Sequence, residues 1–157
     1  MTSTACIDTP LGEVVASVED GKLCSIRIAA GKETKAADES PLSKQLRAEL
    51  KAYFTAKNFS FTVPFVMHGT AFQQRVWRAL QEIPVGETTT YGQLAKRLHS
   101  SARAVGGACR ANPLPIIVPC HRVIAKQGIG GYDGKTAGKR LDIKRWLLRH
   151  EGVAIDG

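Results

Sequence analysis

Two short patterns constrain the second half of this chain more than anything else in it. Thr70-Ala71-Phe72-Gln73 and Thr90-Tyr91-Gly92-Gln93 each place a hydroxyl residue three positions before a glutamine. In such a capping box the hydroxyl accepts from a backbone N–H of the first turn, and the glutamine reaches back to the capping residue's own N–H. Each pattern therefore marks a helix start. After Thr70, residues Phe72, Val76, Leu80 and Ile83 share one helical face, and Pro84-Val85-Gly86 stops the run. After Thr90 a helix runs to about Leu98, His99-Ser100-Ser101 makes a tight turn, and another short helix spans Ala102 to about Ala111. Two short helices joined by so brief a turn predict a helix-turn-helix.

Ahead of these helices the chain reads differently. Gly12–Val18 and Lys22–Ile28 flank Glu19-Asp20-Gly21, and Asp-Gly is a strong hairpin turn signal. Residues 30–40 are polar loop. Pro41 opens a helix to about Ala56, with Leu42, Leu46, Leu50 and Phe54 spaced four apart on one stripe. Phe59-Ser60-Phe61-Thr62-Val63 alternates like a strand, and Pro64 confines it to an edge. A short connector follows at 66–70. The 157 residues are thus expected to divide into an N-terminal unit, 1–69, and a C-terminal unit, 70–157. The expected fold class is α+β: a small N-terminal antiparallel sheet with a helix, followed by a mainly helical C-terminal domain containing the helix-turn-helix.

Charge follows the same division. Residues 1–70 carry 8 basic and 8 acidic side chains, and the remainder carry 14 and 6, so the whole excess of +8 lies in the C-terminal part. A basic surface serves solubility as readily as it serves a polyanion, whose condensed counterions Lys and Arg release. There is no apolar run long enough for a membrane span, and the opening MTSTACIDTP lacks the basic and apolar regions of a secretory signal, so a cytosolic protein is expected. Cysteines stand at 6, 24, 109 and 120 and histidines at 68, 99, 121 and 150, without CxxC or HxxxH spacing, so no metal is expected. In a reducing compartment the cysteines read as free thiols, with Cys24 a core residue and Cys6 able to meet it across neighbouring strands.

The second helix of the helix-turn-helix, SARAVGGACR, has no Asn, Gln or Lys to reach base edges. Its small residues Ala102, Ala104, Gly106 and Gly107 fit tight packing in a core. They fit equally a shallow minor-groove contact in which Arg103 enters the base stack. Beyond it, Asn112-Pro113 ends the helix, and Ile116-Ile117-Val118 reads as a short buried strand leading to Pro119-Cys120-His121-Arg122. Cys120 is either a structural core cysteine or a nucleophile activated by the neighbouring imidazole. If 120 and 121 were strand residues they would face opposite ways and meet only through a bend or a bridging water. Near the C-terminus, Ile143, Trp146, Leu147 and His150 form a helical stripe, and Glu151 follows as a carboxylate able to orient an imidazole. His150 is the rival base, though its place on the stripe favours packing.

Taken in order, TTTYGQLA at 88–95, ARAVGGACRANP at 102–113, PCHR at 119–122, GIGGYDG at 128–134 and WLLRHEG at 146–152 closely resemble the 6-O-alkylguanine-DNA alkyltransferases. The resemblance covers about 70–157, and the earlier residues resemble the family's ribonuclease-like N-terminal unit in outline only. It implies a suicide repair protein that binds double-stranded DNA containing alkylated guanine, needs no cofactor and acts as a monomer. Cys120 would take the alkyl group from guanine oxygen 6, and from oxygen 4 of thymine as well. His121 is similar to the water-mediated base, Glu151 to the carboxylate that orients it, Tyr91 to the donor at guanine N3, and Asn112 to the residue that braces the network. Arg103 resembles the arginine that fills the stack when the nucleotide is flipped out. Ala102, Ala104, Gly106, Arg110, Tyr91 and Gln93 correspond to DNA contacts, and Tyr132, Asp133, Val123, Pro115 and Cys109 to the substrate pocket. Two other classes compete with this reading: a non-catalytic helix-turn-helix or lesion-binding protein, and a cysteine hydrolase using Cys120, His121 and Glu151.

Overall fold

Asp20 and Gly21 both take left-handed backbone, with φ of 50° and 77°, as a two-residue type I′ turn demands. They join β2 (Gly12–Glu19) to β3 (Lys22–Ile28). β1 (Thr2–Thr9) pairs antiparallel with β2, so the sheet order is β1-β2-β3. β1 carries a weak sequence signal, because among its described residues only Ala5 and Ile7 are buried apolar side chains. The computed structural model describes residues 2–29, 40–56, 59–126 and 139–154, and the chain falls into two units, Met1–His68 and Gly69–Gly157.

Three expectations for the first unit are corrected. The register slips between Ser17 and Val18, leaving Cys24 as the extra residue of a bulge, where its half-buried thiol donates to the Ser17 carbonyl at 3.3 Å. Cys24 is therefore not a core residue, and Cys6, opposite Val15 on β1, is separated from β3 by the central strand. On α1 (Pro41–Thr55), capped by Ser40, the buried face is Leu42, Leu46, Leu50 and Tyr53, while Phe54 is half-buried. A four-residue spacing advances about 40° per step around a 3.6-residue helix, so by the third step position 53 lies closer to the stripe than 54. Residues 59–63 form no strand. The N–H groups of Thr62 and Val63 donate instead to Glu49 Oε1 at 2.7 and 3.1 Å, and only Phe65 bridges to Leu23. Burial alone would raise the Glu49 pKa. Hydrogen bonds from Gln45, Thr62 and Val63 more than offset this and hold it below the usual carboxylate range.

In the second unit both capping boxes form. Thr70 and Gln73 start α2 (Ala71–Gln81), and Thr90 and Gln93 start α3 (Tyr91–Arg97). Val76, Trp77, Ala79 and Leu80 are the buried face of α2, and the Trp77 indole donates to the Ala108 carbonyl at 2.9 Å. That bond pins α2 to α4 (Ala102–Arg110), which Ser101 caps. His99, at φ 54°, and the Ser100 N–H donating to Ala95 O form the left-handed turn that closes α3 and aims α4. The helix-turn-helix is thus present. Ile116–Val118 are buried but form a turn rather than a strand, with Val118 N donating to Leu114 O and Ile116 at φ 77°. Prolines at 113, 115 and 119 deny this segment the donors a ladder would need.

Candidate active site

A parallel two-residue pair places the reactive motif. β4 (Thr89–Thr90) runs directly into α3 and pairs with β5 (Val123–Ile124), which follows directly on Cys120-His121-Arg122. In that parallel register Tyr91, first residue of α3, follows the Thr90–Ile124 pair, and it stands near enough to Cys120 for charge on that cysteine to add to the effect of burial on its phenol. Cys120–Arg122 is a single 3₁₀ turn behind Pro119, and Cys120 N donates to Val118 O at 2.8 Å. Asn112 closes the loop before it: its Nδ2 donates to Val118 O at 2.8 Å, and its Oδ1 accepts from Leu114 N at 2.9 Å. Asn112 thus holds the carbonyl that also receives the Cys120 N–H. This is bracing through the loop, one step removed from the imidazole.

His121 is fully buried, and its Nε2 lies 2.8 Å from Glu151 Oε2. An ionised carboxylate only accepts, so Nε2 carries the ring proton and Nδ1 the lone pair. Nδ1 is buried and has no protein hydrogen-bond partner among the described residues. Burial drives the His121 pKa down, and the hydrogen bond and charge of Glu151 oppose that shift without cancelling it. The ring is a neutral base whose free nitrogen points away from its carboxylate.

Glu151 has a second partner that the sequence reading did not assign. Arg122 grips it in a fork, Nε to Oε1 at 2.8 Å and Nη2 to Oε2 at 3.0 Å, and its Nη1 donates to the Ile83 carbonyl at 2.6 Å. Arg122 and Glu151 are 8% and 3% exposed, so little solvent screens the pair. Lys144 was also unassigned. It is fully buried on α5 (Lys139–His150), and its Nζ donates to Val123 O at 2.8 Å and lies 3.5 Å from the Tyr91 hydroxyl. Leu148 and Glu151 follow it at helical spacing on the same buried face. The expected stripe of Ile143, Trp146, Leu147 and His150 is corrected accordingly: Trp146 and His150 stack on each other at 4.9 Å and are only half-buried, while Lys144, Leu147, Leu148 and Glu151 point inward. A lysine inside a buried face is a strong signal, but only once the face is known.

The remaining assigned residues separate by burial. Cys109 and Val123 are buried and Pro115 is half-buried. Burial pushes the Cys109 thiol pKa up to about 12, and burial likewise raises that of Tyr91. Ala102, Arg103 and Arg110 are exposed on α4, and Ala104 is partly so. A Cβ added at Gly106 or Gly107 would meet nothing within 4 Å, which removes the core-packing explanation for these two glycines. Gln93 is exposed, but its Oε1 is engaged by Thr90 N at 3.1 Å as the helix cap. Tyr132 and Asp133 lie outside the described residues.

A family model described as 6-O-methylguanine DNA methyltransferase, DNA binding domain, matches residues 71–153. The chain is 39% identical to a methylated-DNA–protein-cysteine methyltransferase of Methanosarcina acetivorans, over 94% of this chain and 97% of that one. It is 37% identical to the constitutive methylated-DNA–protein-cysteine methyltransferase of Bacillus subtilis, over 94% and 93%. Its structure is similar to that of Mycobacterium tuberculosis O6-methylguanine methyltransferase, with a TM-score of 0.79, 36% identity and coverage of 96% and 93%. It is also similar to M. tuberculosis OGT in complex with DNA, with a TM-score of 0.76, 37% identity and coverage of 94% and 91%. With the second capping box, the Cys120–Arg122 turn and the buried carboxylate network all inside the matched region, the chain belongs to the 6-O-methylguanine DNA methyltransferase family.

Proposed function

We propose that this chain repairs alkylated guanine in DNA by moving the alkyl group from guanine oxygen 6 to Cys120, once per molecule. The observation that carries the assignment is the buried network beginning at the residue after Cys120: a neutral imidazole held by Glu151, which Arg122 holds in turn. Cys120 gives its thiol proton through a water to His121 Nδ1. Its sulfur then attacks the alkyl carbon, the carbon–oxygen bond breaks, and the electron pair stays on guanine. Tyr91 donates at guanine N3 and makes the purine a better leaving group. Glu151 stabilises the imidazolium that forms, as the third member of a triad does. The product is a thioether, which water does not cleave, so nothing regenerates the thiol.

The target atom lies inside the duplex, so the nucleotide must be turned out of the stack. The open, small-residue face of α4 supports docking in the minor groove, where backbone approaches closely and Arg103 fills the vacated place. Arg110 and other exposed basic residues of the C-terminal part neutralise phosphates. The protein binds DNA, and in this reading it acts as a cytoplasmic monomer on alkylated duplex. Among the described residues no helix is long and apolar enough to cross a membrane.

Intact-protein mass after incubation with a duplex containing O6-methylguanine tests the assignment. One methylene mass should appear on the peptide holding Cys120 and plateau at one per protein. A Cys120→Ala variant should bind the duplex and gain none. Transfer by that variant, or many turnovers per molecule, would refute it.

A further inference from the structure

The two edges of the three-stranded sheet are unlike. β3 is guarded: it carries Lys22 and Arg27, it is bulged, and Leu23 exchanges backbone hydrogen bonds with Pro64 and Val66 at 2.9 and 2.8 Å. β1 pairs with β2 in unbroken register over its eight residues and holds no Lys, Arg or Pro. Sheet edges are normally blunted by such devices, because a bare one is a template for another strand. Glu13 O accepts from Ala29 N at 2.8 Å, so the backbone of Glu13 turns toward β3. Its partner on β1, Asp8, therefore occupies a non-hydrogen-bonded position of the β1–β2 ladder and turns its N–H and C=O outward. Alternation along the ladder gives Thr4 the same orientation. Both residues are exposed, and among the described residues no strand lies beyond β1.

Beside that edge is a slot of about 260 Å³ between β1 and α1. It is lined by the end of β1 and by no residue of β2, so it lies on the side of β1 away from the sheet. Its helical wall includes Arg47, Leu50, Lys51 and Phe54, which recur at i, i+3, i+4 and i+7 and form one stripe of α1. Ile7 and Leu50 are buried and Phe54 is half-buried, which makes the floor apolar. Arg47 and Lys51 make no ion pair among the described residues. Asp8 follows the buried Ile7, so its own carboxylate belongs to the opposite face of the sheet.

We propose that the outer edge of β1 and this slot form a docking site for an extended acidic segment of a partner protein. The segment adds a fourth strand to the sheet, seats an apolar side chain on Leu50 and Phe54, and pairs a carboxylate with Arg47 and Lys51. Main-chain hydrogen bonds to the outward groups of Thr4 and Asp8 supply the pairing, and the slot selects the side chains. A strand beside β1 has every second side chain on the α1 face, which is where the slot lies. Two unpaired cations above an apolar floor call for an apolar residue and an acidic one on that same face, two positions apart. The site uses no residue of the transfer chemistry.

The test uses the full chain and a synthetic peptide of threonines, blocked at both ends, with one leucine and, two positions on, one glutamate. Binding is followed by titration, and backbone amide hydrogen exchange is read residue by residue by NMR. At about ten times the peptide's Kd, the Thr4 and Asp8 amides should exchange about tenfold more slowly. Ala5 and Ile7, already paired with β2, should change far less. Replacing the peptide's glutamate by lysine, or changing Arg47→Gln and Lys51→Gln together, should weaken binding about tenfold. A peptide N-methylated at alternate residues should not bind, since it cannot pair. No binding at about 1 mM peptide overturns the proposal. So does binding that leaves the Thr4 and Asp8 amides unslowed, or equal binding of the lysine peptide. Amides at Thr4 and Asp8 that are already protected in the free protein also overturn it, because the edge is then occupied by the chain itself. Protection that rises with protein concentration, together with a doubled mass in sedimentation, assigns the edge to a second copy and overturns it as well.

Discussion

Replacing Arg122 by methionine would remove a cation from a buried network and expose how that network handles protons. Three hydrogen bonds go: two to Glu151 at 2.8 and 3.0 Å and one to the Ile83 carbonyl at 2.6 Å. Stranding one member of a buried ion pair costs about 3–5 kcal/mol, to which the unsatisfied Ile83 carbonyl contributes about 1–3 kcal/mol. The pH dependence is the sharper readout. In the unaltered protein His121 is neutral when folded, with its pKa below the ordinary 6.5. Below that pH the unfolded chain binds one proton more than the folded one, so stability rises with pH and then levels off. Without Arg122, the buried Glu151–His121 pair retains one proton, on either partner. Above pH 6.5 the folded variant then holds one proton more than its unfolded chain, and its stability falls as pH rises through the pair's raised pKa. Other titrating groups are common to both proteins and cancel, so the stability difference should widen by about 1.4 kcal/mol per pH unit. Denaturant melts at a series of pH values measure it. A difference that is flat in pH, or smaller than about 1 kcal/mol, refutes the argument. Transfer should fall too, because the extra proton blocks the base.

Gly106→Ala should leave the fold intact or stabilise it by about 0.5–1 kcal/mol, since the new methyl enters open space on a helix. DNA affinity should nevertheless drop, as measured by duplex titration, and an unchanged affinity would remove α4 from the interface. Glu49→Gln should destabilise the N-terminal unit by about 1.5–3 kcal/mol, because one amide cannot accept the four hydrogen bonds the carboxylate receives. The Glu49 pKa is lowered in the fold, so its contribution is present above the ordinary value of 4.5 and lost as pH falls through the folded one. The variant should lack that acid sensitivity in thermal melts, and an identical acid limb would contradict the assignment.

Much of the fold was legible because its signals are local. A capping box acts within four residues and an Asp-Gly turn within two, so α2, α3 and the β2–β3 hairpin could be read directly. Motif order likewise pointed to Cys120, His121 and Glu151. Failures came where a partner distant in sequence takes over a backbone group or a helix face. Glu49 claims the N–H groups expected to make a strand at 62–63, and the prolines around 113–119 leave buried apolar residues in a turn. The stripe on α5 was misplaced because Trp146 and Ile143 look more apolar than Lys144. Yet Lys144 is the one buried, with Val123 O as its acceptor.

The sequence by itself determined where these helices begin, which cysteine sits beside an imidazole, and that basic charge gathers in the C-terminal part. Tertiary structure decided which nitrogen of His121 is free, that Arg122 and not solvent holds Glu151, and that a lysine stands beside Tyr91. The physical reason is range. Caps and turns are settled by neighbours along the chain, whereas the protonation state of a buried group is settled by burial and by charges that only folding brings within a few ångströms.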